Sequence, residues 1–331
     1  LWHHPMAPPR HVGGFGTGAS PVIAGGKVFV NRDQAVGSKL VALRLGDGAV
    51  AWEADRPELV SSYSTPVVWQ HSGVEEIVVA GSLQMRAYDA ATGRERWRVH
   101  GLPPVTCTTP VIGDGILFFA GWANGKADGA LETYEVLLTN LDTDKDGRLD
   151  RGEFDRHARF GGFFATFNPD GDPYIVREEW DFARRFLQQG ANVVLALRPG
   201  GTGNITDTHV LWKEARGLPY VPSPLFYRGR LYVVKDGGLV SCFVALTGEA
   251  VYRMERIGAP GSYYSSPVAA GGRIYIASTD GKVTVLRAGD VPEVLGRAEL
   301  RERLVATPAL AGSAIYYRTA GHLWKFQRLG M

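Results

Sequence analysis

The chain has 331 residues, 45% of them apolar and 21% charged, enough apolar material for one large core or two smaller ones. Lys+Arg number 36 and Asp+Glu 34, a net charge of +2 that provides neither the basic face nucleic acid requires nor an acidic tail. No 18-residue apolar run occurs and no charged-then-apolar leader opens the chain, so it reads as soluble and without a membrane span, any signal peptide having been removed or never present.

In chain order, Trp2 in LWHHP comes first, followed by SPVIAGGKVFV at position 20, TPVVWQHSGVEEIVV at 65 and TPVIGDGILFF at 109. After a long gap come SPLFYRGRLYVV at 223, SPVAAGGRIYIAS at 266 and TPALAGSAIYY at 307. The prolines of these six copies, Pro21, Pro66, Pro110, Pro224, Pro267 and Pro308, are 45, 44, 114, 43 and 41 residues apart. A repeat of that period predicts propeller blades of four strands each. The 42 glycines and 11% aromatic residues agree with many tight turns between packed strands.

A second element trails the first. LVALRLGDGAVAW ends at Trp52, MRAYDAATGRERW at Trp97, and CFVALTGEAVY places Tyr252 where the tryptophan would stand. The Asp-Gly or Thr-Gly pair closes a hairpin because glycine accepts positive φ. The aromatic four residues later fills the wedge between neighbouring sheets. Strand A is then the S/T-P-V segment, B the V-F-V type, C the L-x-A-L type and D the one with the tryptophan. The last copy supplies about three strands, and Trp2 precedes the first S-P-V as Trp52, Trp97 and Trp212 precede later ones. An amino-terminal strand completing the last blade gives six blades without free edges; a chain trimmed from a larger propeller would show the same ends.

Ala87, Asp89, Thr92, Gly93 and Trp97 resemble the Ala-x-Asp-x-x-Thr-Gly-x-x-x-Trp signature of the pyrroloquinoline-quinone-type (PQQ-like) β-propeller repeat. That family holds quinone-dependent alcohol and sugar dehydrogenases and also non-enzymatic scaffolds such as an outer-membrane assembly lipoprotein. The resemblance covers nearly the whole chain outside one insertion. It implies an all-β propeller of four-stranded antiparallel blades and a periplasmic or extracellular location; the six repeat copies make the expected fold a six-bladed β-propeller. Its motifs pack blades and make no chemistry, so they say little about function.

The long interval holds the insertion, between ILFFAGW ending near Trp122 and NVVLALRPG from Asn192. The expected layout is therefore propeller over 1–122, an α-helical EF-hand insertion in the third blade over 123–191, and propeller again over 192–331. DTDKDGRLDRGE puts Asp142, Asp144 and Asp146 at positions 1, 3 and 5 of a calcium loop, Gly147 at 6, Leu149 at 8 and Glu153 at 12. The Arg148 carbonyl is the expected ligand at position 7, and Asp150 acts through water. Helical apolar spacing flanks the loop in LETYEVLLTNL and FDRHARFGGFF, which weighs against a plain acidic surface loop.

A second loop, NPDGDPYIVREE, begins 26 residues after Asp142. It aligns Asn168, Asp170 and Asp172 at 1, 3 and 5, Tyr174 at 7, Ile175 at 8 and Glu179 at 12. The pair resembles an EF-hand pair, with Leu149 and Ile175 expected to bridge the loops. Asn168 replaces an aspartate, and Pro173 stands where glycine belongs and cannot take positive φ. This loop therefore reads as a weak site or a structural partner.

Loops before strand A carry Tyr63, Tyr220, Tyr263 and Tyr264, on the face where resembling quinoproteins hold their cofactor; ordinary polar loop composition is the plainer reading. Cys107 and Cys242 are not adjacent and read as buried free thiols. His3 and His4 lie at a flexible end, and His100, His157 and His322 are isolated. G-x-S-x-G, H-E-x-x-H and phosphate-binding glycine loops are missing. The leading expectation is a calcium-binding, non-catalytic binding or scaffold propeller, with a protein or small-molecule ligand at its axial face. The alternative is a PQQ-dependent oxidoreductase acting on alcohols or sugars there.

Overall fold

The computed structural model describes residues 1–8, 17–60, 62–123 and 131–327. Short β-branched and aromatic runs form its strands, and glycine-bearing turns separate them. The first sheet takes β1 (Val22–Ala24), β2 (Lys27–Arg32), β3 (Lys39–Arg44) and β4 (Val50–Asp55) in that order. In the second, β5 (Val67–His71), β6 (Val74–Ala80), β7 (Gln84–Asp89) and β8 (Glu95–His100) are successive neighbours.

β9 (Val111–Gly113) and β10 (Ile116–Gly121) begin the third sheet. The chain then runs through α1 (Tyr134–Leu141), β11 (Leu149–Asp150), α2 (Arg151–Phe154), α3 (Phe164–Phe167), β12 (Tyr174–Ile175) and α4 (Arg177–Gln189). It returns as β13 (Val193–Leu197), beside β10 with Gly121 opposite Val193. After the two-residue β14 (Gly203–Asn204), β15 (Val210–Glu214) closes this sheet in the order β15-β13-β10-β9.

β16 (Leu225–Tyr227), β17 (Arg230–Lys235), β18 (Leu239–Val244) and β19 (Ala250–Arg256) make the fourth sheet. β20 (Val268–Ala270), β21 (Arg273–Ala277), β22 (Lys282–Arg287) and β23 (Val294–Glu299) make the fifth. β24 (Ala309–Ala311), β25 (Ala314–Arg318) and β26 (Leu323–Gln327) make a sixth with three strands among the described residues.

Two compact units divide the chain: Leu1–Val68, Glu76–Thr106 and Ala123–Ala191 in one, Trp69–Glu75, Cys107–Trp122 and Asn192–Met331 in the other. In the first, Phe29, Leu40 and Ala42 of one sheet pack on Ile77, Val79 and Tyr88 of the next. In the second unit, Phe118, Val194 and Ala196 pack on Leu231, Val233 and Phe243. Tyr232, Val234 and Cys242 likewise meet Ile274, Ile276 and Leu286.

Two of these interfaces are registered by an indole and a glycine, whereas the third has Tyr252 in place of the tryptophan. Trp52 donates its indole N–H to the Ala90 carbonyl (3.2 Å) and lies against Gly93, where a Cβ would sit 2.5 Å from the ring. Trp212 does the same to the Ala245 carbonyl (2.8 Å) and Gly248. The turn below the indole is closed by Asp89, whose Oδ1 accepts from the Ala91 and Thr92 N–H groups and the Thr92 hydroxyl. Trp97 differs: it is fully buried and donates to the buried Glu76 carboxylate at 3.0 Å.

Trp2 also takes this position, over Gly48 and bonded to the Leu45 carbonyl at 2.8 Å. The strand expected around it is nevertheless not formed, since residues 1–8 carry no regular structure. Pro5 and Pro8 lack the N–H groups a ladder requires. The same hydroxyl-proline step recurs with a second contact that sequence reading missed. The Ser20 N–H donates to the Thr65 hydroxyl (3.0 Å), Thr109 to Ser223 (2.9 Å), Ser223 to Ser266 (3.0 Å) and Ser266 to Thr307 (3.1 Å).

Because Gly73 has nearly the same φ as Gly93 (+76° against +74°) but open space around its missing Cβ, it isolates the wedge contact. Gly73→Ala should cost about 1–2 kcal/mol of backbone strain. Gly93→Ala should cost about 1–3 kcal/mol more by urea denaturation, because the methyl collides with Trp52. Equal losses would mean that the indole contact does not register the sheets.

Candidate metal centre

Between β10 and β13 the chain builds a small core of its own. Phe154, Phe160, Phe164, Phe167 and Trp180 gather with Tyr134, Leu137, Leu149 and Ile175. Leu149 pairs with Ile175 and Asp150 with Tyr174, so the two acidic loops lie back to back on a two-stranded antiparallel sheet. The Tyr134 hydroxyl ties them further, donating to the carbonyls of Ile175 (2.9 Å) and Gly147 (3.2 Å). His157 belongs to this core, its Nε2 lying 3.0 Å from Glu132.

In the first loop, Asp142 ends α1 and curls the chain back on itself. Its Oδ1 accepts from the Lys145 N–H (2.7 Å) and its Oδ2 from Gly147 (3.0 Å), which takes φ +82°. Asp144 accepts from the Asp146 N–H (3.1 Å), and Asp146 from Arg148 (2.8 Å). One oxygen from each of Asp142, Asp144 and Asp146 lies within 4.8 Å of the others.

Glu153 reaches back to the loop. Its Oε1 accepts from the Thr143 N–H (2.7 Å) and hydroxyl (2.9 Å), and its Oε2 from Asp150 (3.1 Å). Asp150 answers by accepting the Glu153 N–H at 2.8 Å, a reciprocal cap on α2. The crowding has a cost. A bond from the Asp146 N–H lowers the proton affinity of Asp144, yet desolvation and the charges of Asp146, Glu153 and Asp142 raise it overall. Arg148 offsets part of this, pairing with Asp146 at 2.9 Å while its guanidinium lies 3.8 Å from the Tyr174 ring centre.

The second loop is arranged differently. Asn168 turns its amide inward, Nδ2 donating to the carbonyls of Asp172 (2.6 Å) and Tyr174 (3.1 Å), while Oδ1 accepts from Gly171 (2.7 Å). Its donors thus occupy the position-7 carbonyl. Asp170 accepts from the Asp172 N–H (3.1 Å) and Asp172 from Tyr174 (2.8 Å). The reversal that Pro173 cannot make is taken two residues earlier by Gly171 at φ +76°. Glu179 Oε2 accepts from the Val176 N–H at 3.0 Å, whereas its buried Oε1 has no partner among the described residues.

Every residue proposed from sequence therefore stands in one of two back-to-back loops. Thr143, Tyr134 and Gly171 were missed, because a pattern of alternate acids does not register a backbone partner. The four tyrosines do not behave as a set. Tyr263 is buried and spends its hydroxyl on the Ala259 carbonyl (2.8 Å), while Tyr264 is exposed. Cys107 and Cys242 are both free.

Sheets of consecutive antiparallel strands, locked by an indole over a glycine turn, define a PQQ-like β-propeller. The family model described as outer membrane protein assembly factor BamB matches residues 1–130 and 201–319, and the chain belongs to that family. Both loops fall in the unmatched stretch between. The crystal structure of BamB from Moraxella catarrhalis is similar with a TM-score of 0.58 at 14% identity, over 98% of this chain and 74% of that one. A computationally designed protein, Ika8, aligns with a TM-score of 0.45 at 11% identity, over 94% of this chain and 83% of that one. No curated protein matches.

Burial first, and then the charges of Asp170 and Asp172, push the ion-free Glu179 carboxyl from its ordinary 4.5 up to about 7. Its protonated form is favoured by the fold, so its contribution is complete below 4.5 and is lost as pH rises through about 7. In chelator, thermal melts followed by helix circular dichroism should therefore show the insertion weakening over that interval. Glu179→Gln should flatten the slope; an unchanged slope would remove Glu179 as its source.

Proposed function

We propose that this chain is a non-catalytic scaffold propeller of six blades that binds protein partners outside the cytoplasm, in the periplasm or at the outer membrane. Its third blade carries an EF-hand pair over 123–191 that takes calcium, with propeller before it over 1–122 and after it over 192–331. The observation that carries this reading is the family match on both sides of the insertion. The quinone-dependent alternative rests on the repeat alone, with no residue assigned to cofactor or substrate.

Within the insertion, Asp142, Asp144, Asp146, the Arg148 carbonyl and Glu153 would hold one calcium ion, with Asp150 acting through water. The chemistry of the donors fits. Three carboxylate oxygens within 4.8 Å of one another repel unless a cation lies among them. Bound there, a hard cation neutralises the loop and ties α1 to α2; its role is structural.

In the second loop Asn168, Asp170, Asp172, the Tyr174 carbonyl and Glu179 would take a second ion more weakly. Asn168 must first turn its amide so that oxygen replaces the donors now bonded to Asp172 and Tyr174. The orphaned Glu179 Oε1 is the acceptor such an ion would satisfy.

Calorimetric titration with calcium tests this directly. Wild type should take up calcium at millimolar concentration or below, and Glu153→Gln should weaken the tighter site about 10–100-fold. Asn168→Asp, which removes the amide donors and adds a charge, should strengthen the second site. Chelator should loosen the helices while strand circular dichroism persists, because the sheets depend on apolar packing. No calcium uptake, or loss of all structure at once on chelation, would overturn the assignment. For the scaffold role, the purified chain should retain a periplasmic or outer-membrane protein at a stoichiometric ratio, and turn over no alcohol or sugar when supplied with quinone and calcium.

A further inference from the structure

Beside the second loop, wholly within the first compact unit, is a cavity of about 360 Å³ that the calcium reading does not use. Its wall is apolar. Val36, Val60 and Val105 come from loops of the first two repeats, and Phe182 and Phe186 from α4, where their rings stack at 5.7 Å. α4 accounts for this because it is apolar on two faces. Trp180 points into the insertion core, while Phe182 and Phe186, one turn apart, stay outside it. Phe182 is 46% exposed and Val36 69%, large apolar side chains left facing water.

Among the described residues, two charged side chains line the cavity, Asp170 and Glu179, and both are acidic. Glu179 is also the residue whose buried Oε1 has no hydrogen-bond partner among the described residues. An apolar cavity of this size with a few polar groups at one end suits a small organic ligand. Carboxylates with no cationic side chain among the described lining residues select the sign of its head group.

We propose that this cavity binds small molecules with an apolar body and a single ammonium group, the body between Phe186 and the three valines and the head at Glu179 and Asp170. These carboxylates also belong to the second loop, so an ammonium ligand and a calcium ion in that loop exclude each other. That competition rests on the second loop's being a cation site; the ligand site does not.

The probe is 4-phenylbutylammonium, titrated calorimetrically into the calcium-free full chain alongside 4-phenylbutanol and 4-phenylbutyrate. The ammonium should saturate, the alcohol should bind about 10-fold more weakly and the carboxylate not at all, as a charge-assisted hydrogen bond predicts. Phe186→Ser, or Phe182→Ser where the first variant does not fold, should weaken the ammonium about 10-fold. Glu179→Gln should bring ammonium and alcohol together, and millimolar calcium should weaken the ammonium in wild type while leaving the alcohol unchanged. Equal binding of all three probes, or no binding up to their solubility limits with first-loop calcium uptake intact, would overturn the site. Ammonium binding indifferent to calcium would overturn the competition, and with it the second loop as a cation site, while leaving the cavity assignment standing.

Discussion

An indole laid on a bare glycine is the contact from which the packing of neighbouring sheets follows. Trp52 on Gly93 and Trp212 on Gly248 each combine a ring face against a Cα with an N–H bond to a carbonyl three residues before the glycine. Glycine is required twice at these points, by the left-handed turn and by the proximity of the ring, so the turn and the interface cannot be altered separately. Apolar packing alone is tolerant of sliding. The directional indole bonds of Trp52 and Trp212, and the N–H-to-hydroxyl bonds at the start of strand A, remove that freedom.

Buried charge follows the same economy. Arg56, fully buried, is held by both oxygens of Asp33 (2.7 and 2.9 Å) and by the Tyr88 hydroxyl (2.7 Å). Glu76 is held by Arg96 and Trp97. Each group is paired inside the core, as a low-dielectric interior demands. The acidic loops of the insertion do the opposite. They concentrate like charge where water reaches it, and partial relief comes from backbone N–H groups in both loops and from Arg148 in the first.

That difference bears on how a family of structural repeats acquires a new property. The matched stretches supply sheets whose signature residues pack and turn, while the unmatched stretch supplies the acidic loops and α4. Because β10 and β13 are ladder neighbours, the insertion enters and leaves at adjacent points, and the sheet closes as it would across an ordinary hairpin.

Much of this was legible beforehand. Strand order within each sheet, the hairpin glycines and the break after Trp122 follow from a period of 41–45 residues and from chemistry that is local in the chain. So does the pairing of Leu149 with Ile175, since loop spacing sets it. Trp2 was placed correctly as a wedge and incorrectly as a strand: an indole needs only its glycine, whereas a strand needs a partner edge and free N–H groups that Pro5 and Pro8 lack. What the tertiary structure decided is everything that joins residues distant in sequence. The serine and threonine hydroxyls acquire their amide partners only across repeats, Glu76 its indole only across a sheet, and the cavity beside Phe186 its valines only when loops some eighty residues or more away close over it. A linear pattern records what a residue can do with its neighbours in the chain; the burial and distance that choose its partner exist only once the chain has folded.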